Sequence, residues 1–389
     1  MKILYITTDI GWGGSSVALY NIITELKDRH QIFVLLPSDK GRFGQELKKI
    51  GVTCFEKPFG LNVYPRFHNF VEFCKHNWWF IRGLYRKYKA KKCVESILDT
   101  IQPDIVHVNV GPVDISLDAC IKRNIPHVWH LREYQDKDFS MHYFPSKKYF
   151  RRRIATKGNY CISISNDIFN HWHLRMGIDR VIYDGVIPSA QIPLNYKKEK
   201  YFLFVGRIQK AKGVLEALIA FHDFSLFNNE YKMLIAGNWD SSNQYKSICD
   251  DYILQHNMEG SVTFLGQRTD VHELMAKASA ILVPSHFEGF GFITAEAMYN
   301  NCIVIGRNTG GTKEQFDIGL NETGDEIGLR FNRNEEIPVL MQRVVNEDLS
   351  KMRELAIQTV CKHYLSSICA KQVEFFYNDI VPKINKDAK

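Results

Sequence analysis

The sequence has no apolar run approaching the roughly 18 to 20 residues that cross a bilayer, so no transmembrane helix is expected. Its nine cysteines are odd in number, scattered from Cys54 to Cys369, and never form a C-x-x-C pair. That argues against a disulfide framework or a zinc site and for reduced, packed thiols. The opening residues MKILYITTDI enter a strand-like pattern without an apolar signal region or cleavage site, so a cytoplasmic protein is expected. No P-loop is present: the glycine-rich stretch Asp9–Ser16 lacks the following Gly-Lys-Ser/Thr, and it does not fit G-x-G-x-x-G. A single D-x-D, Asp136-Lys137-Asp138, lies in a charged segment and reads as solvated, so no metal ligands are assigned. No recognised nucleic-acid-binding module appears either.

What is present is a chain of 389 residues, 45% hydrophobic and 24% charged. Those are the proportions of a globular protein, and the length exceeds one ordinary core, so two domains are expected. The net charge of +7 is unevenly placed. The first half is strongly basic and the second mildly acidic, which points the first half toward an anionic partner or surface.

Short apolar runs alternate with helically spaced segments throughout. Lys2–Thr8, Gln31–Leu36, Asp104–Asn109, Pro126–Leu131 and Tyr160–Ser165 read as strands in the first half. The alternation predicts an α/β chain with parallel sheets. Ser15 or Ser16 is the expected N-cap of a helix from Val17 to Leu26. Residues 188–200 carry two prolines and a charge run and form the best linker. A fresh alternation starts at Tyr201. The domains are therefore placed at 1–190 and 191–364, with a final helix at 365–389 that needs a surface to pack on.

Lys75–Lys92 holds seven Lys/Arg and no acid, interleaved with Trp78, Trp79, Phe80, Tyr85 and Tyr88. On a helix this is a basic amphipathic face compatible with an anionic membrane surface, or a solvated face with its aromatics turned inward. Arg151-Arg152-Arg153 adds a second basic cluster. His107 lies mid-strand and reads as a core histidine. His130, at a strand end, is expected to point to the mouth of a ligand cleft.

The most informative stretch is Ser279–Thr312. A strand (Ala280–Val283) stops at Pro284-Ser285, Glu288-Gly289-Phe290-Gly291 forms a loop, Phe292–Tyr299 reads as a helix, and a strand from Cys302 to Ile305 closes the unit before Gly310-Gly311. Two carboxylates, Glu288 and Glu296, bracket the loop and the helix start, where free N–H groups make an anion site. Upstream, Arg207 and Lys212 follow a strand that ends at Gly206. A planar guanidinium and a point-like ammonium beside a glycine turn suit a diphosphate.

Gly206-Arg207…Lys212-Gly213, Gly237, Phe264-Leu265-Gly266, Glu288-Gly289-Phe290-Gly291-Phe292, Glu296-Ala297 and Gly310-Gly311 together resemble the nucleotide-sugar domain of the retaining glycosyltransferases of family 4. The match is close over residues 200–316 and loose before that, through Gly13, Gly14, His130 and Ser165. The resemblance implies the GT-B architecture: two Rossmann-like domains facing a cleft, acceptor on the first and donor on the second, with a last helix crossing back to the first. It implies a metal-independent retaining transferase that moves a sugar from a UDP- or GDP-linked donor to a glycan or lipid-linked acceptor, as in surface polysaccharide biosynthesis. No bound cofactor is implied.

In that reading Arg207 and Lys212 hold the diphosphate, Glu288 contacts the donor sugar, Glu296 accepts from the ribose, and Gly289, Phe290, Gly291, Phe292 and Ile293 line the donor with Leu265. His130 lies near the donor sugar, and Gly13 and Gly14 line the first-domain loop. Glu288, His130, Arg207 and Lys212 form the catalytic set. The bulky Trp12 and the presence of Asp184, where the family often has asparagine, depart from the pattern. A sugar-nucleotide epimerase and a non-catalytic nucleotide-sugar-binding protein share the architecture and stay open as alternatives.

Overall fold

The computed structural model describes residues 1–389 apart from 66–69, 138–140, 190, 240–243 and 388–389, with the side chains of 65–80 and 382–389 also outside the described set. It divides into two units, Met1–Pro188 with Ser366–Lys389, and Ser189–Leu365.

The first unit contains β1 (Lys2–Ile6), β2 (Gln31–Leu36), β3 (Thr53–Glu56), β4 (Val63–Pro65), β5 (Ile105–Val108), β6 (His127–Leu131), β7 (Met141–Tyr143), β8 (Asn159–Ser163) and β9 (Arg180–Val181). Seven of these form one sheet in the order β3-β2-β1-β5-β6-β8-β9, paired in parallel throughout. Such strands are covered on both faces, which is why they read as continuous apolar runs rather than as alternations. β4 and β7 pair apart from it, antiparallel. These strands are three residues each, too short to show any periodicity in the sequence.

The final helix, Ser366–Asp387, belongs to this unit. Cys369, Ala370, Val373, Phe376, Tyr377 and Ile380 recur at helical spacing and are all buried in the core with Leu19, Ile22 and Ile23 of the helix Gly14–Leu26. Glu374 fixes its register by accepting from Arg29 at 2.8 and 3.2 Å and meeting His30 Nε2 at 2.6 Å.

The second unit contains β10 (Tyr201–Val205), β11 (Lys232–Ala236), β12 (Val262–Gly266), β13 (Ala280–Val283), β14 (Ile303–Arg307) and β15 (Leu329–Phe331). They form a parallel sheet in the order β12-β11-β10-β13-β14-β15. Its core gathers Phe202, Phe204, Phe221, Phe224, Met233 and Ile305. Strand order reverses between β10 and β13, and in open α/β sheets such a switch point opens a crevice at the carboxyl ends of the strands. At those ends the loops close tightly: a Cβ on Gly237 would lie 1.8 Å from the Gly206 carbonyl oxygen, so only glycine fits.

Candidate active site

β10 and β13 are hydrogen-bonded neighbours, Phe202 opposite Ala280 and Leu203 opposite Ile281. The loops that leave them, 206–213 and 284–291, therefore run side by side. His286 N–H donates to the Ala211 carbonyl at 3.0 Å, and His286 Nε2 meets Glu216 Oε1 at 2.8 Å. Between these ties Lys212 Nζ donates to Glu288 Oε1 at 2.7 Å, both side chains partly exposed. The cation and the carboxylate that the sequence left 76 positions apart are brought together here. Arg207 stands exposed just after Gly206, at the carboxyl end of the same strand.

The loop from Glu288 to Gly291 is held from below by the start of the helix Gly310–Thr323. Gly311 N–H donates to the Glu288 carbonyl at 2.8 Å, and Gln315 Nε2 donates to the carbonyls of Phe290 and Gly291 at 2.6 and 3.1 Å. A Cβ on Gly311 would come within 2.0 Å of the Phe290 carbonyl oxygen, so the pair Gly310-Gly311 exists to admit this approach. Gly289 follows Glu288 within this span, and the ring of Phe290 is buried against Phe292 and Tyr364.

Gly291, at φ +88°, caps the helix Phe292–Tyr299, whose first amides, Phe292 and Ile293, have no intrahelical acceptor. Glu296 lies one turn further along. Among the described residues no side chain pairs with its carboxyl, and burial alone pushes it up to about 7. Leu265, half-buried near the end of β12, sits two strands from β10 at the same end of the sheet.

In the first unit Gly13, not Ser15 or Ser16, is the N-cap of the helix Gly14–Leu26. Ser16 instead takes the Gly13 N–H on its Oγ at 2.8 Å from inside the first turn, and Gly14 opens the helix. Ser15 donates to Asp9 Oδ1 at 2.9 Å. Trp12 does not fill the loop; its ring packs on Tyr20 at 5.2 Å and carries Arg42 at 5.1 Å.

His130 is fully buried, contrary to its expected place at a cleft mouth. It lies within β6, one residue before its end, between β5 and β8. Its Nδ1 lies 3.2 Å from His107 Nε2 and 3.2 Å from Arg132 Nη2, while its Nε2 is buried without a partner among the described residues. Burial, with the Arg132 charge next, holds both His107 and His130 well below the usual histidine range, so both are neutral. A guanidinium only donates, so the tautomer that fits has Nδ1 accepting and Nε2 carrying the proton.

Arg132 is the residue that sequence reasoning passed over. Its Nε donates to Asn109 Oδ1 at 3.1 Å, and its Nη1 pairs with buried Asp184. The aspartate at the family's asparagine position is thus the counter-ion of Arg132. Only the +2 spacing of Arg132 from His130 hinted at the link.

Two readings of charge need correction. Asp136 is not simply solvated: it is half-buried, with 31% of its side chain exposed, and pairs with Lys147 at 2.8 Å, while Asp138 lies outside the described residues. Arg153 is not free for a surface; it grips Asp114 and Asp118 at 2.8 and 2.7 Å.

The group 1 glycosyl transferase model matches residues 188–324, and the glycosyltransferase family 4 model matches residues 12–190. Together they span residues 12–324, most of both units. The chain belongs to the group 1, family 4-like glycosyltransferases. It is 26% identical over 275 residues to an uncharacterised glycosyltransferase of Methanocaldococcus jannaschii, a match spanning 69% of this chain and 74% of that one. It is 28% identical over 192 residues to N-acetyl-alpha-D-glucosaminyl L-malate synthase of Bacillus anthracis, spanning 48% and 47% of the two chains. The fold of this glycosyltransferase is that of HepE of Anabaena, solved in complex with UDP, with a TM-score of 0.74 at 16% identity over 97% of this chain and 100% of that one. The architecture is GT-B, with two parallel-sheet α/β domains.

Proposed function

We propose that this glycosyltransferase takes its sugar from a nucleoside-diphosphate donor held at the β10/β13 switch point and passes it, with retention and without a metal, to a glycan or lipid-linked acceptor. The observation that carries this is the Lys212–Glu288 pair, set beside the open amides of Phe292 and Ile293 and the unpaired carboxyl of Glu296. Arg207, Lys212 and the helix start supply fixed positive potential for a diphosphate, strongest where negative charge grows on the leaving group. Glu288 takes the donor sugar and Glu296 the ribose hydroxyls. His130, in the first unit, is assigned to the donor sugar on the family resemblance alone, with its protonated Nε2 as the hydrogen-bond donor. Retention and metal independence rest on the family resemblance, as does the part of the leaving phosphate in deprotonating the acceptor. HepE, described in complex with UDP and in complex with UDP-glucose, supports a UDP-linked donor here. The experiment is a panel of UDP- and GDP-sugars incubated with the protein, with and without EDTA. Slow release of free nucleotide from one donor, unchanged by the chelator, is expected; release abolished by EDTA overturns the metal-free reading.

Glu296 gives a sharper test. Ribose hydroxyls that donate to its carboxylate favour the charged form and lower its pKa on binding. The nucleotide therefore binds the deprotonated enzyme more tightly, and affinity declines as pH falls through about 7, the value to which burial raises this carboxyl. Calorimetry across that range reads it directly, with net proton release on binding at neutral pH. Glu296→Gln removes the pH dependence; a titration of the native protein that is flat with pH refutes the ribose role.

A further inference from the structure

The helix Phe70–Ile101 carries a face that the transfer reaction does not use. Over its described side chains, Ala90, Val94, Ile97 and Leu98 are buried and seat the helix on its unit. Ile81, Leu84, Tyr85 and Tyr88 recur at i, i+3, i+4 and i+7, one continuous stripe. All four are exposed; Ile81, Tyr85 and Tyr88 stand 60%, 57% and 60% open. Arg82, Arg86 and Lys89, all exposed, run along the edge of that stripe, and Lys89 Nζ lies 4.6 Å over the Tyr85 ring. Residues 81–92 contain six Lys/Arg and no acid.

The cations nearest the protein are already paired. Lys87 and Lys91 meet Asp114 and Asp118 at 3.9 and 3.1 Å, and Arg153 of the helix Lys147–Ile154 binds the same two aspartates. The two basic segments are therefore clamped to one acidic pair. The outward cations have no such partner among these aspartates, and Arg151 and Arg152 are exposed on the second helix.

We infer that this stripe and its basic rim form a docking surface for an anionic lipid bilayer. Four exposed apolar and aromatic side chains in register need an apolar phase about one side chain deep, and the rim needs negative charge around it. A bilayer interface with anionic headgroups provides both at once. A soluble polyanion such as nucleic acid meets the charges and leaves the aliphatic side chains in water. No helix among the described residues is long and apolar enough to cross the membrane, so the contact lies in the interface plane. The inference is independent of the donor site and stands or falls separately from it.

The test is sedimentation of the full chain with vesicles of phosphatidylcholine alone and of phosphatidylcholine mixed with phosphatidylglycerol. The native protein is expected to pellet with the mixed vesicles only, and less as salt is raised. The triple variants Ile81→Ser/Tyr85→Ser/Tyr88→Ser and Arg82→Glu/Arg86→Glu/Lys89→Glu each lose about tenfold or more in partitioning, while their thermal melts and vesicle-free donor hydrolysis match the native protein. Native protein that stays in the supernatant overturns the proposal, as do variants that pellet like the native chain. Retention on an oligonucleotide without vesicle binding reassigns the surface to a soluble polyanion.

Discussion

Lys212→Ala is expected to lower kcat/KM for sugar transfer by about 10²- to 10³-fold, roughly 3–4 kcal/mol of barrier, by analogy with the removal of one oxyanion donor. The loss falls mainly on kcat. In the ground state the diphosphate charge is spread and partly hydrated; as the glycosidic bond breaks, a full extra charge collects on the leaving phosphate, and a fixed ammonium favours that state most. Lys212 is well placed for this because Glu288 holds its Nζ at 2.7 Å before any donor arrives. The ordering of a long side chain is therefore not charged to the reaction. Glu288→Gln keeps an acceptor of the same shape and removes the counter-charge, so it separates positioning from the carboxylate's own role toward the sugar. Lys210, an exposed cation two residues away, is the control. Steady-state rates showing that Lys210→Ala and Lys212→Ala cost the same would mean that net charge, not the placed ammonium, matters.

How much of this was legible beforehand follows from the range of the interactions. The βαβ unit around Glu288 was readable because each part is local. Ala280–Val283 and Phe292–Tyr299 lie where periodicity and turn residues put them, and the closing strand runs Ile303–Arg307, shifted by one to two residues. The glycine pair at 310–311 was visible as letters, but its purpose, a backbone approach to the Phe290 carbonyl, depends on where the next helix packs. The Lys212–Glu288 contact requires β10 and β13 to be adjacent, a matter of strand order that no single segment encodes. The same holds for the first unit's electrostatics. Asp114 and Asp118 are unremarkable residues in the sequence, yet they bind Lys87, Lys91 and Arg153 and so decide which parts of the basic segments remain outward. His130 was misplaced for a related reason. A strand end implies exposure only if nothing covers it, and β6 has β5 and β8 on either side, with Arg132 folding back onto its last turn of chain.

Asp184→Ala is expected to destabilise the protein by about 3–5 kcal/mol, the cost of leaving one partner of a buried ion pair uncompensated. Arg132 is 4% exposed and Asp184 1%. The two neutral histidines beside the guanidinium offer it no counter-charge, and Asn109 Oδ1 and His130 Nδ1 satisfy two of its donors without neutralising it. Asp184→Asn, the residue common in the family, keeps the volume and an acceptor oxygen but not the charge, and falls between alanine and the native protein. The decisive comparison is Arg132→Met with Asp184→Leu. Removing both charges leaves neither group stranded, so the double variant should be more stable in urea denaturation than Asp184→Leu alone. It should nonetheless transfer sugar poorly. With Arg132 gone, nothing forces His130 Nδ1 to accept, the imidazole is free to carry its proton on the His107 side, and Nε2 loses the N–H that the proposed function assigns to the sugar. Restored stability with restored activity would show the pair to be structural only; restored stability with activity still lost identifies it as the device that sets the tautomer of His130.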